Sequence, residues 1–368
     1  MRFPLAIEGG AIVATLSPAP SSGAHAASGS PIVVGSRGSA LALWQTNWAL
    51  DRVREREPEA SFSVQTITTQ GDHTQAQNTP LARLGDKGLF VAELERALLA
   101  GSLDVAVQPM NDHALAQAEV QAEMQAERGG IDAAVHSLKD LPSVVTTGLT
   151  LAAITEREDP RDALVSRAGL RLDELPEGAT VATSSLRRRA QLLHRRPDLR
   201  IVDIRGNVDT RLRKTLAADG PDATILAAAG MRRLGLERHI TELLPVETLV
   251  PAAGQGALAI ETRTSDRRAR RMLRVIDHLP TRRAVTAERT VLAALGGGCL
   301  LPLGAHATVS ADGETMRLLA VVASPDGKRL LRVERTGKAT RPVALGRLVA
   351  RELLRQGAGE IVRAVLGR

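Results

Sequence analysis

Four stretches of this chain repeat one pattern: a short apolar run, a polar turn, then residues at helical spacing. They are PIVVGSRGSALALWQTN (31–47), EGATVATSSLRRRAQLLHRR (177–196), LRIVDIRGNVDTRLRK (199–214) and ATILAAAGMRRLGL (223–236). A period near two that switches to 3.6 marks a strand feeding a helix. Repeated strand–helix alternation restricts the chain to the α/β class and predicts parallel sheets in doubly wound domains. Each such turn also leaves the first N–H groups of a helix over the carboxyl end of a strand. Anions bind there, and ligands of open α/β sheets sit there.

The remaining segments fill in the architecture. FSVQTITT (62–69) alternates as a strand, LFVAELERALLAG (89–101) is an amphipathic helix, and LTLAAITERED (149–159) is a strand running into a charged turn. LVPAAGQGALAIETR (249–263) is a Gly/Pro connection into a strand. Past residue 280 the style changes. A helix, AERTVLAAL, leads to the turn LGGGCLLPLG with Cys299; alternating strands follow near 303–309, 316–323 and 329–335, and helical periodicity closes the chain. This predicts two α/β domains and a smaller α+β C-terminal domain carrying Cys299. Residues 1–30 are rich in Ser, Pro, Ala and Gly. That is linker composition, so a disordered extension outside the fold is expected there.

One segment is written twice. GSLDVAVQPMND (101–112) and GGIDAAVHSLKD (129–140) align at an offset of 28 residues, separated by an Ala/Gln/Glu stretch. Only one copy can fill a given strand of a sheet. The second has Lys139 where the first has Asn111, and it runs on into a Pro-containing turn. The second copy is therefore the expected working one.

Composition excludes several functions. A single cysteine in 368 residues rules out a disulfide framework and a cysteine-built metal site, and fits a reducing cytoplasm. No apolar run approaches 18 residues, so no membrane helix is expected. The net charge of +7 raises nucleic-acid binding through 181–214, but the chain has no Tyr, three Phe and two Trp. Single-strand binders need aromatic platforms that are nearly missing here. No GxxxxGK[ST] loop and no HExxH spacing occur, so no metal is expected. His278 or His306 could serve Cys299 as a hydrolase base only on the strength of being present.

What remains is a pocket for an anionic small molecule. The predicted strand ends carry Arg37 and Ser39; Lys139 and Asp140; Thr183, Ser184, Ser185, Arg187 and Arg188; and Arg205, Asn207 and Arg211. Guanidinium forks beside hydroxyls and helix N-termini suit a ligand bearing several carboxylates or phosphates. Asp140 is an acid among bases. It could orient a donor, stabilise a developing cation or shuttle a proton, or it could simply pair with Lys139. A non-catalytic binder of anions remains the rival reading, although it has no need of Asp140 or of Cys299 on a glycine turn.

The blocks GSRGSALALWQ, TPLARLGDKGLF, AVHSLKDLP, EREDPRDALVS, TSSLRRR, DIRGNVDTRL, AAAGMRRLGL, PAAGQGALAIE and GGGCLLPLG stand in the order and approximate spacing of the hydroxymethylbilane synthase family, also called porphobilinogen deaminase. The resemblance covers about residues 31–368; the N-terminal extension and the duplication depart from it. It implies two periplasmic-binding-protein-like domains, the first spanning 31–155 and 257–274 and the second 161–249, with a third over 279–368. It implies a dipyrromethane cofactor on Cys299, porphobilinogen as substrate, a monomeric cytoplasmic enzyme, and Asp140 as the catalytic aspartate beside Lys139. Ser39, Thr183, Ser184, Ser185, Arg187, Arg188, Arg205 and Asn207 would contact the cofactor, and Arg37, Gln45 and Arg211 the substrate. A lid over 70–88 would bring Arg83 and Lys87, with Phe90 near its hinge.

Overall fold

The computed structural model describes residues 30–69, 91–101, 130–298 and 301–367, together with two paired dipeptide strands, Ile7–Glu8 and Ala11–Ile12. Residues 1–30 are a unit apart from 31–368; the extension expected there otherwise lies outside the described residues. So do the lid, with Arg83, Lys87 and Phe90, and Cys299 itself.

The chain begins β1 (Ile32–Ser36), α1 (Ala40–Arg54), β2 (Phe62–Thr66), α2 (Ala92–Ala100), β3 (Ala133–Ser137) and β4 (Leu149–Ile154). It continues β5 (Asp162–Ser166), β6 (Thr180–Ala182), α3 (Leu186–Arg195), β7 (Arg200–Val202), α4 (Val208–Leu216), β8 (Ala223–Ala227), α5 (Ala228–Arg233) and β9 (Glu242–Leu244). It closes with β10 (Leu258–Arg263), α6 (Arg267–Leu273), α7 (Leu279–Ala294), β11 (Leu303–Val309), β12 (Thr315–Ala323), β13 (Leu330–Lys338), α8 (Pro342–Arg355) and α9 (Ala358–Leu366).

These strands form two five-stranded sheets, ordered β2-β1-β3-β10-β4 and β9-β5-β8-β6-β7, and an antiparallel sheet β11-β12-β13. The expectation of parallel sheets holds for half of each. β1 runs parallel to β2 and β3, and β6 to β7 and β8; β10 is antiparallel to β3 and β4, and β5 to β8 and β9. The chain crosses between the large sheets twice, through 155–161 and 250–257. The strands next to those crossings, β4, β5 and β10, all take part in the antiparallel pairings. Two strands escape the sequence pattern. DALVS (β5) is a short apolar run between a Pro and an Arg-rich turn, and ELL (β9) is three residues long.

Apolar faces bury where the periodicity puts them. Ile32 and Val34 of β1 meet Leu50 and Val53 of α1, and β12 places Met316, Leu318 and Ala320 under Val291 of α7 and Val349 and Leu353 of α8. One polar hub fastens both crossings to the third sheet. Glu288 of α7 is fully buried and receives both Nη atoms of Arg157 at 2.7 Å, the Gly254 N–H at 2.7 Å and the Ala307 N–H at 2.7 Å. Four donors on one carboxylate satisfy a charge that would otherwise be expensive to bury.

Candidate active site

At the carboxyl end of β1 the turn through Arg37 leads to Ser39, whose Oγ accepts the Ala42 N–H at 3.3 Å as the N-cap of α1. One turn on, buried Gln45 donates through Nε2 to Ser137 Oγ at 2.9 Å, tying α1 to the end of β3. β3 then breaks into a single 3-10 turn, Leu138–Asp140. Leu138 is buried, while Lys139 and Asp140 turn outward, Asp140 to the surface. The second copy of the duplicated sequence thus occupies the sheet.

The second sheet supplies its turns side by side. Thr183 N–H bonds Val202 O at 2.8 Å, and Ser184 Oγ both donates to Ile204 O at 2.8 Å and accepts from Ile204 N at 3.2 Å, joining the turn after β6 to the turn after β7. Ser185 caps α3 by accepting from Arg188 N. A hydroxyl that accepts as a cap keeps its hydrogen for another acceptor. Asn207 stands at the start of α4 without a side-chain cap bond.

The arginines divide into two kinds. Arg187 and Arg188 are buried and share Asp162 at the start of β5: Arg187 Nη1 reaches Oδ2 at 2.8 Å and Arg188 Nη2 reaches Oδ1 at 2.7 Å. They also donate to Val250 O and Ile225 O, each at 2.9 Å. Burial works against the Asp162 carboxylate, but the two guanidiniums overcome it and hold its pKa far below the usual range. Arg205 lies in the turn after β7 and Arg211 in the first part of α4. Arg211 spends Nε on Gly206 O at 2.7 Å; burial first, then repulsion from Arg188 and Arg205, lower its pKa to about 10 against the pull of Asp140. Arg205 is lowered by burial too, opposed by Asp203.

Lys139 joins the two groups. Its Nζ is 3.4 Å from Gln255 Oε1, and Gln255 Nε2 donates to Asp162 Oδ1 at 3.0 Å and Pro160 O at 2.7 Å. A relay of side chains therefore runs from the end of β3 through one crossing segment to the paired arginines. Enclosure of the ammonium lowers the Lys139 pKa to about 8; Asp140 opposes the shift and Arg188 adds to it. Although part of the side chain meets solvent, the direction follows from where its charged end sits, against buried Gln255.

Sequence reasoning missed Asp162, Gln255 and Arg233. Arg233, at the end of α5, donates to Gly256 O at 2.7 Å, lies 6.0 Å from the Trp44 ring centroid, and is lowered to about 10 by burial against the effect of Glu158. The blocks EREDPRDALVS and PAAGQGALAIE contain Asp162 and Gln255, so the motif signal was present; what it lacked was the partner. Near Cys299, Gly296 and Gly297 have φ of +102° and +58°, a left-handed backbone that glycine adopts readily. A separate groove of about 510 Å³ lies between α7 and residues 143–154, with Arg282, Arg289 and Arg347 in its wall, and contains none of the predicted site residues.

This donor set fits a dianionic or polyanionic group. Asp162 is held by Arg187 and Arg188, while Lys139 and Arg211, both lowered in basicity by burial, each feel the charge of exposed Asp140. Cations whose charge is penalised by burial and mutual repulsion gain most from an incoming carboxylate. The comparisons with known proteins name such a ligand. A family profile described as "Porphobilinogen deaminase, dipyromethane cofactor binding domain" matches residues 32–122 and 114–271, and "Porphobilinogen deaminase, C-terminal domain" matches 282–355. The porphobilinogen deaminase of Desulforudis audaxviator is 48% identical over 334 residues, 91% of this chain and 97% of that one. Those of Brevibacillus brevis and Pelotomaculum thermopropionicum are 46% and 45% identical, each over 90% of this chain and 97% and 96% of theirs. With its cofactor-binding and C-terminal domains both matched, the chain belongs to the porphobilinogen deaminase family.

Proposed function

We propose that the crevice carries out the family's reaction with the residues that the strand ends bring together. That reaction is hydroxymethylbilane synthesis, a transferase activity of tetrapyrrole formation: four porphobilinogen molecules are condensed head to tail with loss of ammonia at each, and hydrolysis releases the linear product. The dipyrromethane group supplies the primer, an electron-rich pyrrole carbon that accepts the first unit. Cys299 is its proposed anchor, shortly after Gly296 and Gly297, whose positive φ lets the chain turn tightly there.

Every porphobilinogen carries an acetate and a propionate. Arg37, Arg205, Arg211 and the Lys139 ammonium are assigned to those carboxylates, with second hydrogen bonds from Ser39, Ser185 and Asn207. Arg187 and Arg188 have Asp162 and two carbonyls as fixed partners. Their role is to fix the turn after β6 and add positive potential, with any remaining N–H directed to the ligand. Gln45 acts through Ser137 on the orientation of the β3 end. Loss of ammonia from porphobilinogen leaves a methylene-pyrrolenine cation. Asp140, fixed at the end of a one-turn helix, is placed to stabilise that charge and to exchange protons with the pyrrole nitrogen. A preorganised carboxylate stabilises such a cation more strongly than water would, because its orientation costs nothing at the moment of reaction.

The first domain is assigned to 31–155 and 257–274, the second to 161–249 and the third to 279–368. No helix among the described residues is long and apolar enough to cross a membrane. The single cysteine supports a reducing compartment, and the reading is of a cytoplasmic monomer that binds no nucleic acid. The observation that carries the assignment is the interaction of Asp140 with two buried cations from different sheets, Lys139 after β3 and Arg211 after β7. Its test is the intact mass of the purified protein beside Cys299→Ser. The expected result is an excess of two linked pyrrole units, lost in the variant; no excess after incubation with porphobilinogen would reduce the protein to an inactive relative or an anion binder.

A further inference from the structure

The duplicated segment meets the fold at a single point. A Cβ placed on Gly130 would fall 2.7 Å from the Gly101 backbone nitrogen and closer still to its Cα. The two Cα atoms are therefore no more than about 4 Å apart, within the spacing of consecutive residues across a trans peptide. One guanidinium clamps both sides of this junction. Arg263 Nη1 donates to Leu98 O at 3.1 Å and Ile131 O at 2.6 Å, and Nη2 to Asp132 Oδ1 at 2.7 Å. Gly101 and Gly130 are thus already about one residue spacing apart, so removal of residues 102–129, a length equal to the 28-residue repeat offset, would leave two ends that can be joined directly.

We infer that this chain carries two candidates for the β3 strand, that Ala133 and Ser137 select the second, and that 102–129 can be excised without loss of fold or site. The first copy offers the same Asp104, Ala106, Val107 and Asp112 as Asp132, Ala134, Val135 and Asp140. It differs where the strand is least tolerant. Ala133 is fully buried in the cluster of Ile32, Val34 and Ala49, and the first copy has Val105 there. Two added methyl groups overpack such a site. Ser137 is the partner of buried Gln45, and the first copy has Pro109 there. Proline has no hydroxyl to offer, and it is excluded from a central strand, which β3 is, between β1 and β10. The family profile matches in two overlapping pieces, 32–122 and 114–271, as a chain with either copy in that place would. Occupancy by the first copy would keep a carboxylate, Asp112, but put Asn111 in place of Lys139.

Two excisions of equal length test this. One variant lacks 102–129 and joins Gly101 to Gly130; the other lacks 113–140 and joins Asp112 to Leu141. The first is expected to melt within about 3 °C of the full chain and to keep its turnover, and the second to melt lower and lose turnover. Melting of the first well below the full chain, or equal melting of the two, would overturn the inference. A third arm uses the full chain: Asp140→Ala removes turnover, and adding Val105→Ala, Pro109→Ser and Asn111→Lys is expected to restore it through Asp112. No restoration would mean that those positions do not decide occupancy. The turnover arms rest on the roles proposed for Lys139 and Asp140, whereas the melting arm does not. If the full chain lacks activity and the melting order holds, the functional reading fails and the strand selection stands.

Discussion

Lys139 is charged where charge is least comfortable. Enclosure lowers its pKa to about 8, so the ammonium is present below that pH and is lost as pH rises through it. If the ammonium holds a substrate carboxylate, kcat/KM falls on the alkaline side with a limb near pH 8. Lys139→Arg keeps a cation well beyond that range, so its limb moves upward even if its absolute rate is lower. A wild-type profile of kcat/KM flat from pH 7 to 9.5 would remove Lys139 from the binding role. Asp140 gives the companion prediction. Asp140→Ala abolishes turnover, a loss of at least about 10³-fold on the scale of removing one preorganised electrostatic group, whereas Asp112→Ala leaves it unchanged. Single-turnover assays of the two variants decide this, and loss at Asp112 alone would assign the strand to the first copy.

Between β5 and α3, function depends on a partnership that separates residues by 25 and 26 positions in sequence. Asp162 opens β5, and Arg187 and Arg188 open α3; each guanidinium is buried because the carboxylate is there. Asp162→Ala leaves two cations without their counter-charge, and breaking a buried ion pair from one side costs about 3–5 kcal/mol. Urea melts are expected to show that loss together with weaker substrate binding, since the turn 183–185 rests on the start of α3. A midpoint within the error of the wild type would mean that the pair is not structural. This element also marks how far the sequence could be read. The strand–turn–helix units were legible because their period changes sharply. The cations were legible because they sit at strand ends. DALVS was not, because five residues carry too little periodicity, and Arg187 and Arg188 look like ligand-facing arginines until Asp162 is seen beneath them. No spacing rule links Lys139 to Gln255, 116 residues away; only the crossing of the chain between sheets brings them within 3.4 Å.

Those crossings are tied to the third sheet through one carboxylate. Both pass under α7, where Glu288 collects Arg157 from the first and the Gly254 N–H from the second, and His306 of β11 lies 3.3 Å from Arg157 Nη1 through Nδ1. Burial lowers the His306 pKa from 6.5 to about 4; Glu288 opposes the shift and Arg157 adds to it. Below pH 6.5 the unfolded chain therefore takes up a proton that the folded chain refuses. Stability attributable to this group is complete above pH 6.5 and declines as pH falls toward 4, by up to about 3 kcal/mol at roughly 1.4 kcal/mol per pKa unit. Denaturant midpoints measured across pH 4 to 7 should follow that slope, and His306→Gln should flatten it while lowering the plateau only by its lost packing. The same hub reaches the chemistry, because Arg157 Nε also holds the Gln255 carbonyl at 2.9 Å, and Gln255 holds Lys139. Protonating His306 beside Arg157 places two positive charges on one carboxylate's partners and loosens the second crossing. Loss of activity on acidification should then set in as pH approaches 4 in the wild type and be displaced to lower pH in His306→Gln. If both proteins lose activity along the same curve, the acid limb belongs to the crevice and not to the joint that supports it.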